Sequence, residues 1–234
     1  MIPWLRQDLT FPPLATALVE PSGLLAAGGD LSPGRLLAAY RLGIFPWYSE
    51  GDPILWWSPD PRMVLFPSEF RINRSLAKTL RNRHYAIYFD TAFEAVMEAC
   101  AAPRSSQPGT WISTEMKAAY CRLHELGHAH SVETWIDGTL AGGLYGVALG
   151  RAFFGESMFS RERDASKVAL AALVSHLDRE GFGIIDCQMH TSHLESLGAR
   201  PIPRTAFSRL LGELVDYPRD LGRWTTASFS HSST

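Results

Sequence analysis

Three closely spaced apolar segments, and the two turns between them, constrain the fold of this chain most. The stretch HSVETWIDGTLAGGLYGVALGRAFFGESMF, residues 130–159, holds three strand-like segments, with Asp137-Gly138 at one junction and Gly150 at the other. Asp-Gly between apolar runs is a strong signal for a tight hairpin turn. The stretch therefore predicts three consecutive antiparallel strands, which form a meander.

A long apolar helix and one further strand are predicted directly after the meander. Residues 165–179 carry a strongly apolar pattern that Gly181 closes, and GIIDCQ, residues 183–188, then indicates a buried strand. A meander joined to a strand–helix–strand unit indicates an α+β, or mixed α/β, fold. This order of elements resembles that of GNAT-like (acyl-CoA N-acyltransferase-like) domains.

The first sixty or so residues differ in composition and are rich in proline, glycine and tryptophan. Ser32 is a good helix N-cap, the proline after it suits the first helical position, and Gly43 suits a left-handed helix end. Two short strands are expected around the Ser-Pro-Asp-Pro turn at 58–61. We therefore expect a small aromatic-rich N-terminal domain at 1–62 and a GNAT-like domain at 63–234.

Composition limits the classes of function. The 234 residues carry a formal net charge of -2, so the chain as a whole is not a cationic nucleic-acid binder. Its 3 cysteines are odd in number and widely spaced, which argues against a disulfide framework and suits a reducing compartment. The N-terminal segment lacks the pattern of a signal peptide, and no apolar run reaches membrane-spanning length. A cytoplasmic protein is expected.

Residues 71–83, RINRSLAKTLRNR, contain basic side chains and no acidic one. In a helix the basic side chains share one face, with Ile72, Leu76 and Leu80 on the other. A charge stripe is usually a solvated surface, yet this one, unneutralised in a net-negative chain, suggests contact with a phosphate backbone. The proposed contact residues, called the basic stripe below, are Arg74, Lys78, Arg81 and Arg83.

Tryptophans are a second signal for nucleic acid. Four of them are candidate platforms for base stacking, with core packing as the alternative. They are Trp47, Trp56, Trp57 and Trp111.

Polar residues end the strand at 183–188 and allow three chemistries: a Cys187 thiol nucleophile, a metal site with nearby histidines, or a carboxylate–amide pair of Asp186 and Gln188. Strand alternation turns Cys187 away from the other two, and cysteine is among the most often buried residues. Asp186 and Gln188 share a face at the C-terminal end of the strand, where α/β sheets commonly open into ligand crevices. A structural aspartate that caps a nearby helix or loop is the alternative.

The segment HELGH, residues 124–128, matches the zinc-binding pattern H-E-x-x-H. Its two histidines share a metal only when one helix continues through both. Gly127 and the strand sequence after it predict that the helix ends before His128, so no metal site is expected.

Glu156 lies in an aromatic strand, where an unpaired carboxylate is costly. We expect it either to pair with Arg161 or Arg163 as part of the structure, or to receive a cationic group of a substrate beside an apolar pocket. The following loop, SRERDASK, lacks the glycines that cradle a pyrophosphate, so coenzyme A is not expected.

Several segments together resemble one enzyme family. They include EPSGLLAAGGDLSPGRLLAAYRLGIFPWY, PILWWSPDPR, RLHELGHAHSVETW, FFGESMFSRERDASK and HLESLGA, and they run from about residue 11 to residue 204. The chain resembles the leucyl/phenylalanyl-tRNA–protein transferases. This resemblance implies transfer of Leu, Phe and, less efficiently, Met from aminoacyl-tRNA to proteins that begin with Arg or Lys, which marks those proteins for degradation by the N-degron pathway. It also implies no metal and no coenzyme.

The resemblance further implies roles for single residues. Asp186 and Gln188 match the catalytic pair, and Glu156 matches a strand glutamate near the acceptor and the terminal nucleotide. Trp47 and Trp111 match tryptophans near the 3′ adenosine. The basic stripe lies where the family contacts the body of the tRNA. The wall of the amino-acid pocket is matched by Leu144 (where Met is common in the family), Phe153, Met158 and Leu170.

A mechanism follows from the chemistry of the ester. An aminoacyl ester is already activated, so the enzyme needs mainly to position a neutral α-amine and to stabilise developing charge. An α-amino group has a pKa of about 7.7–8.0, so modest help with deprotonation suffices. Our hypothesis gives the proton to Asp186, directly or through the Gln188 amide, while Gln188 orients the amine and Glu156 helps to hold the acceptor's cationic side chain.

Overall fold

The computed structural model describes residues 2–82, 84–102 and 112–225. Its strands are β1 Trp4–Leu5, β2 Leu24–Gly28, β3 Phe45–Pro46, β4 Leu55–Trp57, β5 Arg62–Leu65, β6 Ala86–Phe89, β7 Ala129–Ile136, β8 Thr139–Leu149, β9 Ala152–Ser160, β10 Ile184–Gln188 and β11 Arg200–Ile202. Its α-helices are α1 Pro33–Arg41, α2 Arg74–Asn82, α3 Phe93–Ala101, α4 Thr114–Glu125, α5 Ala165–Arg179, α6 Ser192–Ser196 and α7 Arg204–Leu214. Two 3₁₀ helices lie at Leu14–Thr16 and Pro67–Glu69.

The predicted meander is confirmed as β7, β8 and β9. Asp137 and Gly138 both have positive φ, as their tight turn requires, and Gly150 has a φ of +53° at the second turn. Helix α5 then crosses the sheet, and β10 returns parallel to β9. The seven-stranded sheet has the order β11-β5-β10-β9-β8-β7-β6. The mixed α/β class is therefore confirmed.

Successive side chains of the strands point to opposite faces of this sheet, so apolar side chains lie on both faces. Helices cover both of these apolar faces. Leu144 and Phe153 enter one core cluster, together with the apolar face of α5. Their neighbours Tyr145 and Phe154 enter the other cluster, together with α1, α3, α4 and α7. The result is a three-layer arrangement in which every central strand is buried on both sides.

Helix α1 begins and ends where the sequence predicts. The Ser32 hydroxyl accepts a hydrogen bond from the Arg35 N–H, and Gly43 has a φ of +74° just beyond the last turn. The residues on either side of the 58–61 turn form β4 and β5, as expected. However, β4 belongs to a small four-stranded sheet, β1-β2-β4-β3, whereas β5 belongs to the large one.

The change of sheet falls next to the expected boundary between 1–62 and 63–234. Packing does not divide there, because one buried cluster contains Tyr40 and Trp56 from the small unit together with Tyr120 and other residues beneath the large sheet. The division into a small domain at 1–62 and a GNAT-like domain at 63–234 stays a prediction.

The expectation for Ile72 is wrong. Helix α2 begins at Arg74, where Asn73 Oδ1 accepts from the Leu76 N–H at 2.9 Å, so Ile72 precedes the helix and is 51% exposed. Leu76 is buried and Leu80 packs on the core, as predicted. In the part of the chain that the structure describes, no helix has the length and apolar character needed to cross a membrane.

Candidate active site

The large sheet opens between β9 and β10. These strands pair in parallel only as far as Phe154 and Asp186. Each strand then bulges against its other neighbour: Glu156 is the extra residue of β9 opposite β8, and Cys187 is the extra residue of β10 opposite β5. Bulges re-aim side chains and are frequent beside active sites. Here the backbones of β9 and β10 are no longer paired at Glu156 and Gln188, and this unpaired place is called the gap below.

Asp186 is paired with an arginine at the end of the paired region. Arg62 Nε donates to Asp186 Oδ1 at 2.8 Å, and Arg62 Nη2 donates to Oδ2 at 2.6 Å. Both side chains are 1% exposed. The guanidinium carbon lies 4.8 Å from the ring centroids of Phe45 and of Phe207. The two rings and the bidentate carboxylate fix the arginine from several sides.

Gln188 does not continue the alternation that the sequence predicts. It has a φ of +61°, and its N–H donates back to Asp186 Oδ1 at 2.9 Å. This local turn aims the Gln188 side chain across the gap, where Nε2 donates to Glu156 Oε1 at 2.8 Å. The Asp186 carboxylate therefore pairs with Arg62, whereas the Gln188 side chain binds Glu156.

Glu156 is the hub of the opening. Its Oε1 also accepts from the Tyr40 hydroxyl at 2.8 Å, and its Oε2 accepts from the Tyr120 hydroxyl at 3.0 Å. The two hydroxyls also contact each other. Neither Arg161 nor Arg163 is among these partners, so the expected structural ion pair is not the arrangement observed.

Burial sets the electrostatics of this hub. It raises the pKa of Glu156 to about 7, against the hydrogen bonds from Tyr40 and Tyr120, which lower it; Asp186 raises it further and Arg62 lowers it. Burial also holds the pKa values of both tyrosines well above their usual range, with a contribution from the Glu156 charge. The tyrosines therefore remain neutral hydrogen-bond donors near neutral pH.

Cys187 is not activated as a nucleophile. It packs against the core, and burial raises the pKa of its thiol well above the usual range, so the reactive thiolate is scarce at neutral pH. This agrees with the prediction that Cys187 is a small core residue.

The four residues assigned to the amino-acid pocket belong to one core cluster or pack against it. Leu144, Phe153 and Leu170 are buried in a single cluster, and Met158 is half-buried and packs against it. Phe153 and Met158 come from β9, the strand that carries Glu156. This apolar wall therefore shares strand β9 with the carboxylate, although the Glu156 partners Tyr40 and Tyr120 belong to the cluster on the other face of the sheet.

Three residues of the basic stripe and Trp47 face solvent. Arg74, Lys78 and Arg81 are exposed on α2, while Arg83 lies outside the described residues. Trp47 is 41% exposed and meets Trp57 edge-on. The candidate stacking role of Trp56 is wrong because Trp56 is fully buried in the core. Trp111 also lies outside the described residues.

The HELGH segment has the geometry that the sequence predicts. Helix α4 ends at Glu125, Gly127 has a φ of +79°, and His128 lies beyond the helix. The His124 ring is 2.8 Å from the Ala129 carbonyl through Nδ1 and stacks on Phe93. Across the described ranges, no group of three or more His, Cys, Asp and Glu side chains is placed to hold a metal ion.

Sequence reasoning missed three residues of the site: Tyr40, Arg62 and Tyr120. Arg62 gives a usable signal, since it opens the apolar strand RMVL, and a buried arginine requires an acidic partner. The tyrosines give no such signal, because each occupies an ordinary apolar position of a helix.

Two family models match the chain. One, described as leucyl/phenylalanyl-tRNA protein transferase, matches residues 64–212, and the N-terminal domain model of the same transferase matches residues 29–60. Together with an opened mixed sheet that places a carboxylate and an amide at the opening, these matches define an aminoacyltransferase.

Close relatives carry the same name. The leucyl/phenylalanyl-tRNA–protein transferase of Nitrosomonas eutropha is 64% identical over 224 residues, which cover 96% of each chain. That of Chromobacterium violaceum is 63% identical, again over 96% of each chain. This chain therefore belongs to the leucyl/phenylalanyl-tRNA–protein transferase family, whose members transfer amino acids from aminoacyl-tRNA to proteins. Among solved structures, a GCN5-related N-acetyltransferase from Kribbella flavida has a TM-score of 0.37 at 12% identity and covers 72% of this chain and 60% of its own.

Proposed function

We propose that this enzyme transfers Leu, Phe and, less efficiently, Met from aminoacyl-tRNA to the N-terminal Arg or Lys of acceptor proteins. The new peptide bond marks the acceptor for degradation by the N-degron pathway in the cytoplasm. The observation that carries the proposal is the Gln188–Glu156 bridge at the point where the pairing of β9 with β10 ends. The bridge suits an amine, and the wall suits a hydrophobic aminoacyl group.

The reaction exchanges an ester for an amide. The acceptor's α-nitrogen attacks the ester carbonyl carbon, a C–N bond forms, and the C–O bond to the terminal ribose breaks. The proton that leaves the nitrogen balances the proton that the ribose oxygen gains. No oxidant or coenzyme enters this balance.

Gln188 is the residue proposed to touch the amine. Its Nε2 is held by Glu156 Oε1, which fixes the amide plane and presents Oε1 as an acceptor for an amine N–H. Asp186 completes the pair by accepting from the Gln188 backbone N–H. Fixed polar groups of this kind lower the barrier because they need no rearrangement during the reaction.

The substrate contacts are proposed from exposure and charge. The apolar cluster of Leu144, Phe153, Met158 and Leu170 would receive the donor side chain, and Trp47 would stack near the 3′ adenosine, a role also proposed for Trp111. The exposed basic stripe would contact the tRNA backbone. Glu156 would lie close to the N-terminus of the acceptor protein.

The direct test is transfer of radiolabelled Phe, Leu or Met from charged tRNA to a reporter protein with N-terminal Arg or Lys. The matched control is the same reporter with N-terminal Gly, and Val-tRNA controls for the donor. We expect label only on the Arg and Lys reporters, and more of it from Leu and Phe than from Met. Absence of transfer by the unmodified enzyme contradicts the proposal, and equal labelling of the Gly reporter contradicts the acceptor class.

A further inference from the structure

We propose that Glu156 is the catalytic residue that takes the proton from the acceptor's α-amine, and that Asp186 is a positioning residue that acts through Gln188. This inference rests on the proposed function and deepens it. It differs from the sequence-based hypothesis, which gives the proton to Asp186.

Both oxygens of Asp186 are already occupied by donors. Both of its oxygens accept from Arg62, and Oδ1 also accepts from the Gln188 N–H. An amine that approached Asp186 would have to displace one of these donors and disturb the buried ion pair with Arg62, which is strongly unfavourable. Asp186 is suited instead to hold the left-handed turn at Gln188.

The surroundings of Glu156 allow protonation. A carboxylate offers about four acceptor positions. Three are occupied by the Tyr40 hydroxyl, the Tyr120 hydroxyl and Gln188 Nε2. The bulge on β9 aims the carboxylate into the gap where the strands separate. Oε1 accepts from two of these donors and Oε2 from one, so among the contacts of the described residues a fourth acceptor position remains on Oε2.

The charged and titratable groups around Glu156 set its proton affinity. They come from five elements, and they are Tyr40 on α1, Tyr120 on α4, Tyr145 on β8, Asp186 on β10 and Arg62 on β5. The resulting pKa of about 7 is close to the value of about 7.7–8.0 for an α-amine, so the proton can move either way at little cost.

The proton then completes a cycle. The neutral amine attacks the ester, and its nitrogen becomes positively charged as the C–N bond forms. Glu156 accepts that proton, and it returns the same proton to the ribose oxygen when the C–O bond breaks. The two tyrosines stay protonated throughout and hold the carboxylate in place.

The pH dependence of kcat/KM tests this role. If both the acceptor amine and Glu156 must be unprotonated, log kcat/KM rises with a slope of 2 at low pH, the slope falls to 1 above pH 7, and it reaches 0 above the amine pKa of about 7.7–8.0. Glu156→Gln keeps the shape and one acceptor oxygen but cannot take a proton. We expect its slope to be 1 from low pH up to the amine pKa, with no break near pH 7, and its kcat to fall by roughly 10²–10⁴-fold with little change in KM.

A second variant keeps the test decisive if Glu156→Gln folds poorly. Tyr120→Phe removes a hydrogen bond that lowers the pKa of Glu156, so the break near pH 7 should move to higher pH. A purely structural role for Glu156 would leave this break in place. The inference is overturned if Glu156→Gln keeps the slope of 2 and the kcat of the parent, or if Tyr120→Phe leaves the break unmoved. Absence of transfer by the parent enzyme is a separate outcome, which contradicts the proposed function itself.

Discussion

Arg62 and Asp186 lie 124 positions apart in the chain and form a bidentate ion pair with almost no exposure to solvent. The pair joins β5 to β10, the strand that carries Gln188. A buried ion pair of this kind adds little net stability over well-packed apolar residues, but removal of one partner costs about 3–5 kcal/mol.

We therefore expect Arg62→Met to lower the free energy of unfolding by about 3–5 kcal/mol, because Asp186 is left charged and buried. The double variant Arg62→Met, Asp186→Leu should regain most of that loss while it remains impaired in transfer. Denaturant unfolding and the transfer assay measure the two effects. A double variant as unstable as the single one would show that the uncompensated charge is not the cause.

Glu156 should make stability fall as pH rises. Its pKa is about 7 in the fold against 4.5 for the unperturbed group, so between these values the folded state holds a proton that the unfolded state has released. Stability from this group is complete below about pH 4.5 and is lost as pH rises through 7. The shift corresponds to about 3 kcal/mol, which we expect to be absent in Glu156→Gln.

Unfolding by denaturant at pH 5 and pH 8 measures this effect. Glu125→Gln changes an exposed carboxylate of α4 in the same way and serves as the control. If the parent and Glu156→Gln lose the same stability between the two pH values, Glu156 is not the group responsible.

The basic stripe should govern the salt dependence of tRNA binding. Each phosphate contact contributes a slope of about 0.7–0.9 in log K against log salt, so replacing Arg74, Lys78 and Arg81 by Gln should reduce the slope by roughly 2–3. The control replaces three other exposed arginines, which are Arg6, Arg122 and Arg209, for the same change in net charge. Equal losses of slope in the two triple variants would assign the effect to net charge rather than to the stripe.

Met158 should influence the choice of donor. It is half-buried at the edge of the apolar cluster, so Met158→Ala enlarges the space and removes contacts that a smaller donor needs. We expect the ratio of kcat/KM for Phe-tRNA to that for Leu-tRNA to rise about tenfold, which is the order of a one-methylene effect. Met97→Ala makes the same truncation in the other core cluster and should leave the ratio unchanged.

The sequence predicts the elements of this fold well because their signals are local. The Asp137-Gly138 turn, the Ser32 cap and the apolar pattern of α5 each depend on neighbouring residues. The chemistry of the site depends on distant ones. Glu156 meets Tyr40, 116 positions away, and the bulge at Cys187 breaks the alternation from which the facing of Gln188 was predicted. No local sequence pattern encodes the contact between Glu156 and Tyr40 or the bulge at Cys187.

The origin of the two tyrosines has a practical consequence. Tyr40 belongs to the small N-terminal unit, whereas Tyr120, Glu156 and Gln188 belong to the remainder of the chain. A break in the turn at 58–61 would put the Tyr40 hydroxyl and its carboxylate on two different chains without cutting a strand of either sheet. We expect the two fragments to behave as a split enzyme, in which peptide transfer reports their association.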